Sequence, residues 1–238
     1  MKKFSFLNSN ILKIIACITM LIDHMGFILF PEHLIFRIIG RISFPLFAFM
    51  IAEGCFYTRN KVKHLLLIST LGILMQLVLY FAIGMTDFSI FITFSVSIVL
   101  IYLIDYTDIM FRIKAYTNGI LGAIIFTLLT LLFLFFTKKY NYFVMNYNFY
   151  GIIAPVVIYV IKKYFTKYHI YLSLIAFSIM FIIKAYNTDL SVHYYSFLAL
   201  PFILFYNGQR GKLNLKYFFY IFYPLHFVIL YGISMLLS

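Results

Sequence analysis

Apolar residues in this chain neither alternate with polar ones nor keep to a single helical face. They gather into long runs separated by short polar stretches. The runs lie at about 11–30, 37–57, 64–84, 88–105, 118–136, 149–161, 168–184, 190–206 and 216–237, and an α-helix needs roughly 20 residues to cross the hydrocarbon core of a bilayer. The pattern predicts an all-α, polytopic integral membrane bundle of about nine transmembrane helices, with residues 1–238 forming a single domain. The sixth run is short for a crossing unless Lys162 and Lys163 snorkel to the headgroups, so eight spans is the rival count. The opening Met1-Lys2-Lys3 imitates a secretory signal. The run after it is too long, contains Asp23 and His24, and lacks a small-residue cleavage site, so it is expected to remain as the first helix. The absence of an internal repeat disfavours a transporter built from duplicated halves.

Composition agrees with lipid as the main solvent: 64% of residues are hydrophobic and 11% charged, where soluble domains are nearer half and a quarter. Disordered chains, disulfide scaffolds and nucleic-acid-binding modules are excluded, and no nucleic-acid partner is expected despite the net charge of +12. The charge is explained by topology. Thirteen of the 19 basic residues fall in alternate connections, at Lys2 and Lys3, Arg59 to Lys63, Arg112 and Lys114, Lys162 to Lys167, and Arg210 to Lys216. The intervening connections hold Lys138 and Lys139, with Lys184 at a helix edge, and the acids Glu32, Asp87 and Asp189. The positive-inside rule then places the N-terminus in the cytoplasm and the C-terminus outside, with the basic loops against anionic membrane lipid. Tyr140, Tyr142, Tyr147 and Tyr150 read as interfacial anchors. Cys17 and Cys55 read as small buried hydrophobes within helices.

The first two runs also carry Asp23, His24, Arg37, Arg41 and Glu53, besides Lys13 near the cytoplasmic end. Ionisable groups in a bilayer are costly unless paired or watered, which makes these residues functional candidates. At 1.5 Å per residue Asp23 lies about 10 Å below the outer end of its helix and Arg41 about 6 Å below the start of the next, so the two can meet. Arg37 and Arg41 stand at i and i+4 on one face, and one carboxylate cannot cancel both charges. The surplus suits an anion or a developing oxyanion, although a hairpin clamp would use the same residues. Lys13 and Glu53 are expected to form a second pair at the cytoplasmic face.

Consecutive helical residues point about 100° apart, so Asp23 is not expected to orient His24. Pro45 leaves the Arg41 carbonyl without its helical donor, and Pro224 does the same for Tyr220, two residues before His226. His226 lies near mid-membrane and could face the same cavity as His24. Gln76, Thr93, Ser95 and Ser97 read as interhelical hydrogen-bonding groups. The stretch Tyr206-Asn207-Gly208-Gln209-Arg210-Gly211-Lys212 ends a helix with a glycine cap and offers basic residues to a phosphate. No His-Glu-x-x-His, Gly-x-Ser-x-Gly or Walker pattern occurs, nor any Cys/His spacing for a metal.

Asp23-His24-Met25-Gly26, then Arg37-Ile38-Ile39-Gly40-Arg41-Ile42-Ser43-Phe44-Pro45 with Glu53-Gly54, Thr58-Arg59-Asn60, the Tyr206–Gly211 turn and Phe222-Tyr223-Pro224-Leu225-His226 resemble the TraX family of conjugation-associated membrane proteins. The resemblance covers both ends of the chain; residues 65–200 match mainly by hydropathy. That family is associated with N-terminal acetylation of pilin. It also looks like a distant relative of transmembrane acyltransferases such as heparan-α-glucosaminide N-acetyltransferase, which use an essential membrane-embedded histidine. The resemblance implies a multi-pass acetyltransferase of a bacterial cytoplasmic membrane that takes acetyl from cytosolic acetyl-CoA, without a metal. The acceptor would be a pilin N-terminus, a peptide or a cell-surface glycan, and a homo-oligomer is compatible. His24 is the implied base, with Asp23, Arg37, Arg41 and His226 as catalytic companions. Arg59, Lys61, Asn207, Arg210 and Lys212 are the expected seat for the CoA phosphates, and Lys13, Glu53, Pro45 and Tyr223 the supporting residues. The rival classes are a transporter or flippase for an anionic solute, using Arg37 and Arg41, and a non-catalytic membrane scaffold.

Overall fold

The computed structural model describes residues 5–84, 88–139, 148–186, 191–212 and 215–237. Lys2, Lys3, Asp87, Tyr140, Tyr142, Tyr147 and Asp189 lie outside the described residues. The elements are α1 (Ser9–Ile28), α2 (Leu34–Gly40), α3 (Ser43–Tyr57), α4 (Lys61–Ile83), α5 (Ile90–Arg112), α6 (Tyr116–Lys139), α7 (Asn148–Tyr164) and α8 (His169–Tyr186). A 3-10 helix (Ser191–Ala199) then runs into α9 (Leu200–Leu204), and α10 (Lys216–Leu237) closes the chain. No strand forms among the described residues. Taking α2 and α3 together, seven helices among the described residues are long and apolar enough to cross a membrane, and the chain is a multi-pass membrane protein.

Polar side chains set the helix starts. The Asn8 side chain accepts from the Ile11 amide at 3.1 Å and the Asn60 side chain from the Lys63 amide at 2.8 Å, each satisfying an amide that lacks a helical acceptor. Pro45 breaks the second run as expected. α2 stops at Gly40, and the Arg41 and Ile42 amides turn back three residues, to Ile38 and Ile39, at 3.2 Å each. The break tilts Arg41 into the bundle.

Three runs differ from their expected form. α5 continues to Arg112 instead of stopping at 105, because Asp105 and Asp108 are held among cations and need no water. Asp105 binds Lys61 at 2.6 Å and Lys163 at 2.9 Å and accepts from the Tyr159 hydroxyl at 2.6 Å; Asp108 binds Lys163 at 2.9 Å and Arg112 at 3.1 Å. α7 is therefore not rescued by snorkelling. Lys162 is buried on Glu53, and α7 runs parallel to α5, with Ser97 donating to the Ile152 carbonyl at 2.7 Å and Tyr159 meeting Asp105. Its brevity suits a helix enclosed by protein, with Ile152 and Ile158 fully buried. The eighth run is mostly a 3-10 helix, which climbs about 2.0 Å per residue against about 1.5 Å. Its nine residues and the five of α9 thereby span roughly 25 Å. The segment leads to Tyr206, which donates to Glu53 at 3.0 Å.

The core lies among α3, α5 and α7, around Leu46, Phe49, Phe94 and Ile98, while α6 packs mainly on α5. Phe81, Leu66 and Leu128 are exposed, as lipid-facing side chains are.

Candidate functional site

Asp23 on α1 bridges the two arginines of the next hairpin arm. Its Oδ2 accepts from Arg37 Nη1 and its Oδ1 from Arg41 Nη2, both at 2.9 Å, and its backbone carbonyl accepts a further Arg37 bond at 3.2 Å. The one carboxylate thus meets both guanidinium groups. Arg41 is the deeper, its side chain 10% exposed against 31% for Arg37. The contact depends on Gly40. A Cβ there would sit 2.1 Å from Asp23 Oδ1 and 2.2 Å from its Cβ, closer than packed atoms come. Gly40→Ala is expected to force α1 and α2 apart and to lower the melting temperature in detergent by several degrees, a loss that thermal circular dichroism would detect.

His24 turns away from Asp23, as the angular argument predicts. Its Nδ1 lies 2.8 Å from Nε2 of His226 on α10, with the rings stacked at 5.0 Å and Phe227 packed 4.2 Å from His24. The other His226 nitrogen, Nδ1, lies 2.9 Å from the Phe222 carbonyl. A carbonyl only accepts, so His226 Nδ1 carries hydrogen and, in the neutral ring, its Nε2 is bare. His24 Nδ1 must then donate, which leaves the lone pair on His24 Nε2. His226, 3% exposed, backs His24 from behind instead of lining the cavity with it.

Two cavities meet at this region. An outer one of about 220 Å³ is lined by Asp23, His24, Arg37, Arg41, Ser43 and Ser89 among apolar residues that include Met75. An inner one of about 630 Å³ has Lys13, Lys63, Arg210, His64 and Asn60 on its wall. Phe47, Phe91 and Tyr223 line both. Tyr223 meets Phe91 edge-on with ring centres 4.0 Å apart and Phe47 at 5.4 Å, so the three rings form a septum. At the inner mouth the Tyr206–Lys212 turn is clamped to the start of α1. The Ser9 amide donates to Gln209 at 2.8 Å, the Ser9 hydroxyl to the Arg210 carbonyl at 3.2 Å, and Leu7 pairs with Tyr206. Gly208 and Gly211 take φ of 75° and 87°, a backbone region that only glycine enters cheaply.

The expected residues fall into two groups. Asp23, His24, Arg37, Arg41 and His226 come together, and Arg210 reaches the inner cavity. Lys61 is occupied by Asp105, Asn207 uses its side chain to accept the Gln209 amide at 2.9 Å, and Arg59 and Lys212 are exposed outside the cavity wall. The expected Lys13–Glu53 pair does not form. The carboxylate oxygens of Glu53 are taken up elsewhere, one by Lys162 and the other by the Tyr206 hydroxyl at 3.0 Å, while Lys13 lies over the Phe219 ring at 5.8 Å. Of the four polar candidates in α4 and α5, Gln76 bridges to the Ser89 amide at 2.9 Å and Ser97 to α7. Ser95 bonds its own helix, and the Thr93 hydroxyl is buried without a partner. Sequence reasoning missed Lys63 and His64. His64 Nδ1 lies 2.8 Å from the Tyr102 hydroxyl, and the signal for both was their place in the first turn of α4, beside the Asn60 cap.

A family model described as TraX protein matches residues 8–234. A probable fimbrial assembly protein, FimC of serogroup H1 from Dichelobacter nodosus, is 25% identical over 251 aligned positions, covering 95% of this chain and 96% of that protein. An uncharacterized protein of Rickettsia prowazekii (strain Madrid E) is 40% identical over 68 residues, covering 29% of this chain and 25% of its own length. No solved structure matches.

Proposed function

The chain belongs to the TraX family, and from that membership we propose that it is a membrane-embedded acetyltransferase moving acetyl from cytosolic acetyl-CoA to an amine or hydroxyl acceptor. The observation that carries this reading is His24, engaged by His226 at Nδ1 so that Nε2 is left for a proton, sharing one cavity with the arginine pair that Asp23 bridges. In the transfer, His24 Nε2 takes the proton from the acceptor as its nitrogen or oxygen attacks the thioester carbonyl. Arg41 and Arg37 stabilise the oxyanion, the C–S bond breaks, and the proton on His24 passes to the departing thiolate.

Dimensions support the donor. Lys13 and His24 are separated by about 17 Å along α1. A phosphopantetheine arm of about thirteen bonds extends about 15 Å by the reach of an extended chain. Phosphates at Lys13, Lys63 and Arg210, beside the amino end of α1, would bring a thioester to the outer cavity through the septum. This seat keeps Arg210 from the sequence-based set and replaces Lys61, which Asp105 holds. The fimbrial name of the Dichelobacter relative favours a surface-filament subunit as acceptor, in a bacterial inner membrane.

The test is incubation of the purified chain in proteoliposomes with labelled acetyl-CoA and membrane extract. Label on a protein or glycan is the expected result; none on any acceptor rejects the reading. Arg210→Ala is expected to raise KM for acetyl-CoA about tenfold, the value of one charge-assisted contact, with kcat little changed. Paired cavities on either side of a septum also fit carriage of an anionic solute, and uptake of such a solute without CoA would favour that alternative.

A further inference from the structure

Phe47, Phe91 and Tyr223 stand where the two cavities meet, and the three are unequally supported. Phe47 and Phe91 stand on α3 and α5, the helices that form the centre of the core. Tyr223 stands on α10, whose backbone packs on α1 and α4. It is buried because its ring reaches across to the other two. The next residue is Pro224, which has no amide hydrogen for the Tyr220 carbonyl, so the α10 ladder lacks a bond at this level. Tyr220 itself lines the inner cavity. A large ring, set edge-on to Phe91, Phe47 and His226 and carried on a helix interrupted beside it, is the part of the septum that can move.

We propose that Tyr223 is a gate: it swings on the Pro224 interruption to admit the arm of the acyl donor from the inner cavity and closes against Phe47 and Phe91 when the arm withdraws. A permanently open path lined by Lys13, Arg37, Arg41 and Arg210 would let water and anions cross the bilayer. Three apolar rings remove that path. The donor's own arm fills the opening when the gate is open, so the reaction is kept from bulk water at the same time. Tyr223 is thus a positioning residue. It touches neither the acceptor nor the proton that His24 removes.

This inference rests on the two-cavity reading of the proposed transferase, but its test needs no acetyl transfer. In a background carrying Cys17→Ser and Cys55→Ala, Met75→Cys puts a thiol on the wall of the outer cavity and not the inner one. Inside-out vesicles are treated with a small, charged, membrane-impermeant methanethiosulfonate added to the cytoplasmic face. The thiol should react slowly with Tyr223 in place and at least tenfold faster in Tyr223→Ala. Tyr223→Phe, which keeps the ring, should match the parent. Labelling from the outer face should be equal in all three, which also reports an intact fold. Should Tyr223→Ala fail to accumulate, Pro224→Ala decides. Restoring the bond to Tyr220 should slow cytoplasmic labelling severalfold. Equal cytoplasmic rates in the parent and Tyr223→Ala, or in the parent and Pro224→Ala where that variant decides, overturn the gate. A chain that labels as stated yet transfers no acetyl keeps the gate and loses the enzyme; one that transfers acetyl with unchanged labelling does the reverse.

Discussion

Asp23→Asn should destabilise the protein by about 3 kcal/mol, while Arg41→Ala should cost no more than about 1 kcal/mol and abolish most of the activity. The asymmetry follows from the fork. Removing the carboxylate charge leaves two guanidinium groups facing each other within a turn, in a medium where breaking a buried pair costs about 3–5 kcal/mol. The lower figure applies because Arg37 is partly exposed. Removing Arg41 leaves Asp23 with Arg37, a neutral pair still tied by a side-chain and a backbone bond. The oxyanion, however, loses the deeper of its two cations, a change worth about 10²–10³ in turnover. Unfolding in detergent followed by circular dichroism, since the chain has no tryptophan, gives the first number, and labelled acetyl transfer gives the second. Equal destabilisation by both variants, with transfer intact in Arg41→Ala, would mean that the fork only clamps the hairpin.

The fork was legible in sequence because its parts are local. An i, i+4 arginine pair, a carboxylate on the preceding helix and the constant rise of a helix fix their heights, and neighbouring helices joined by a short turn must face each other. The same arithmetic failed for Lys13 and Glu53, since rise gives depth and says nothing about direction around the helix. Glu53 points to α7, whose Lys162 is 109 residues away. The Lys61 ion pair was hidden for the same reason: its partner Asp105 lies 44 residues further on, inside what hydropathy marks as the cytoplasmic edge of a span. A charge within a hydrophobic run ends the run for a sliding window, whereas in the bundle Asp105 is enclosed by Lys61, Lys163 and Tyr159. The 3-10 helix left no trace either, because the apolar count of a segment does not reveal its rise per residue. His226 was placed at the right depth, but the direction of its hydrogen bond depends on a backbone carbonyl that only the folded α10 presents.

That direction leads to the other large effect. His24→Ala should lower acetyl transfer at least a hundredfold at saturating acetyl-CoA, within the 10²–10⁴ that a positioned general base supplies, and leave KM for the donor nearly unchanged. His226 never meets the substrate, so its removal should act by a different route. In His226→Phe the stacked ring is kept but the acceptor for His24 Nδ1 is lost, and the imidazole can then place its hydrogen on Nε2, where it cannot serve as a base. One hydrogen bond of about 1.4 kcal/mol corresponds to about a tenfold fall in kcat. His226→Gln offers an amide oxygen to the same Nδ1–H and should recover most of that loss, a rescue that simple repacking would not give. Full activity in His24→Ala would move the base elsewhere. Equal activity in His226→Phe and His226→Gln would leave His24 as the base but show that His226 supports it through packing alone.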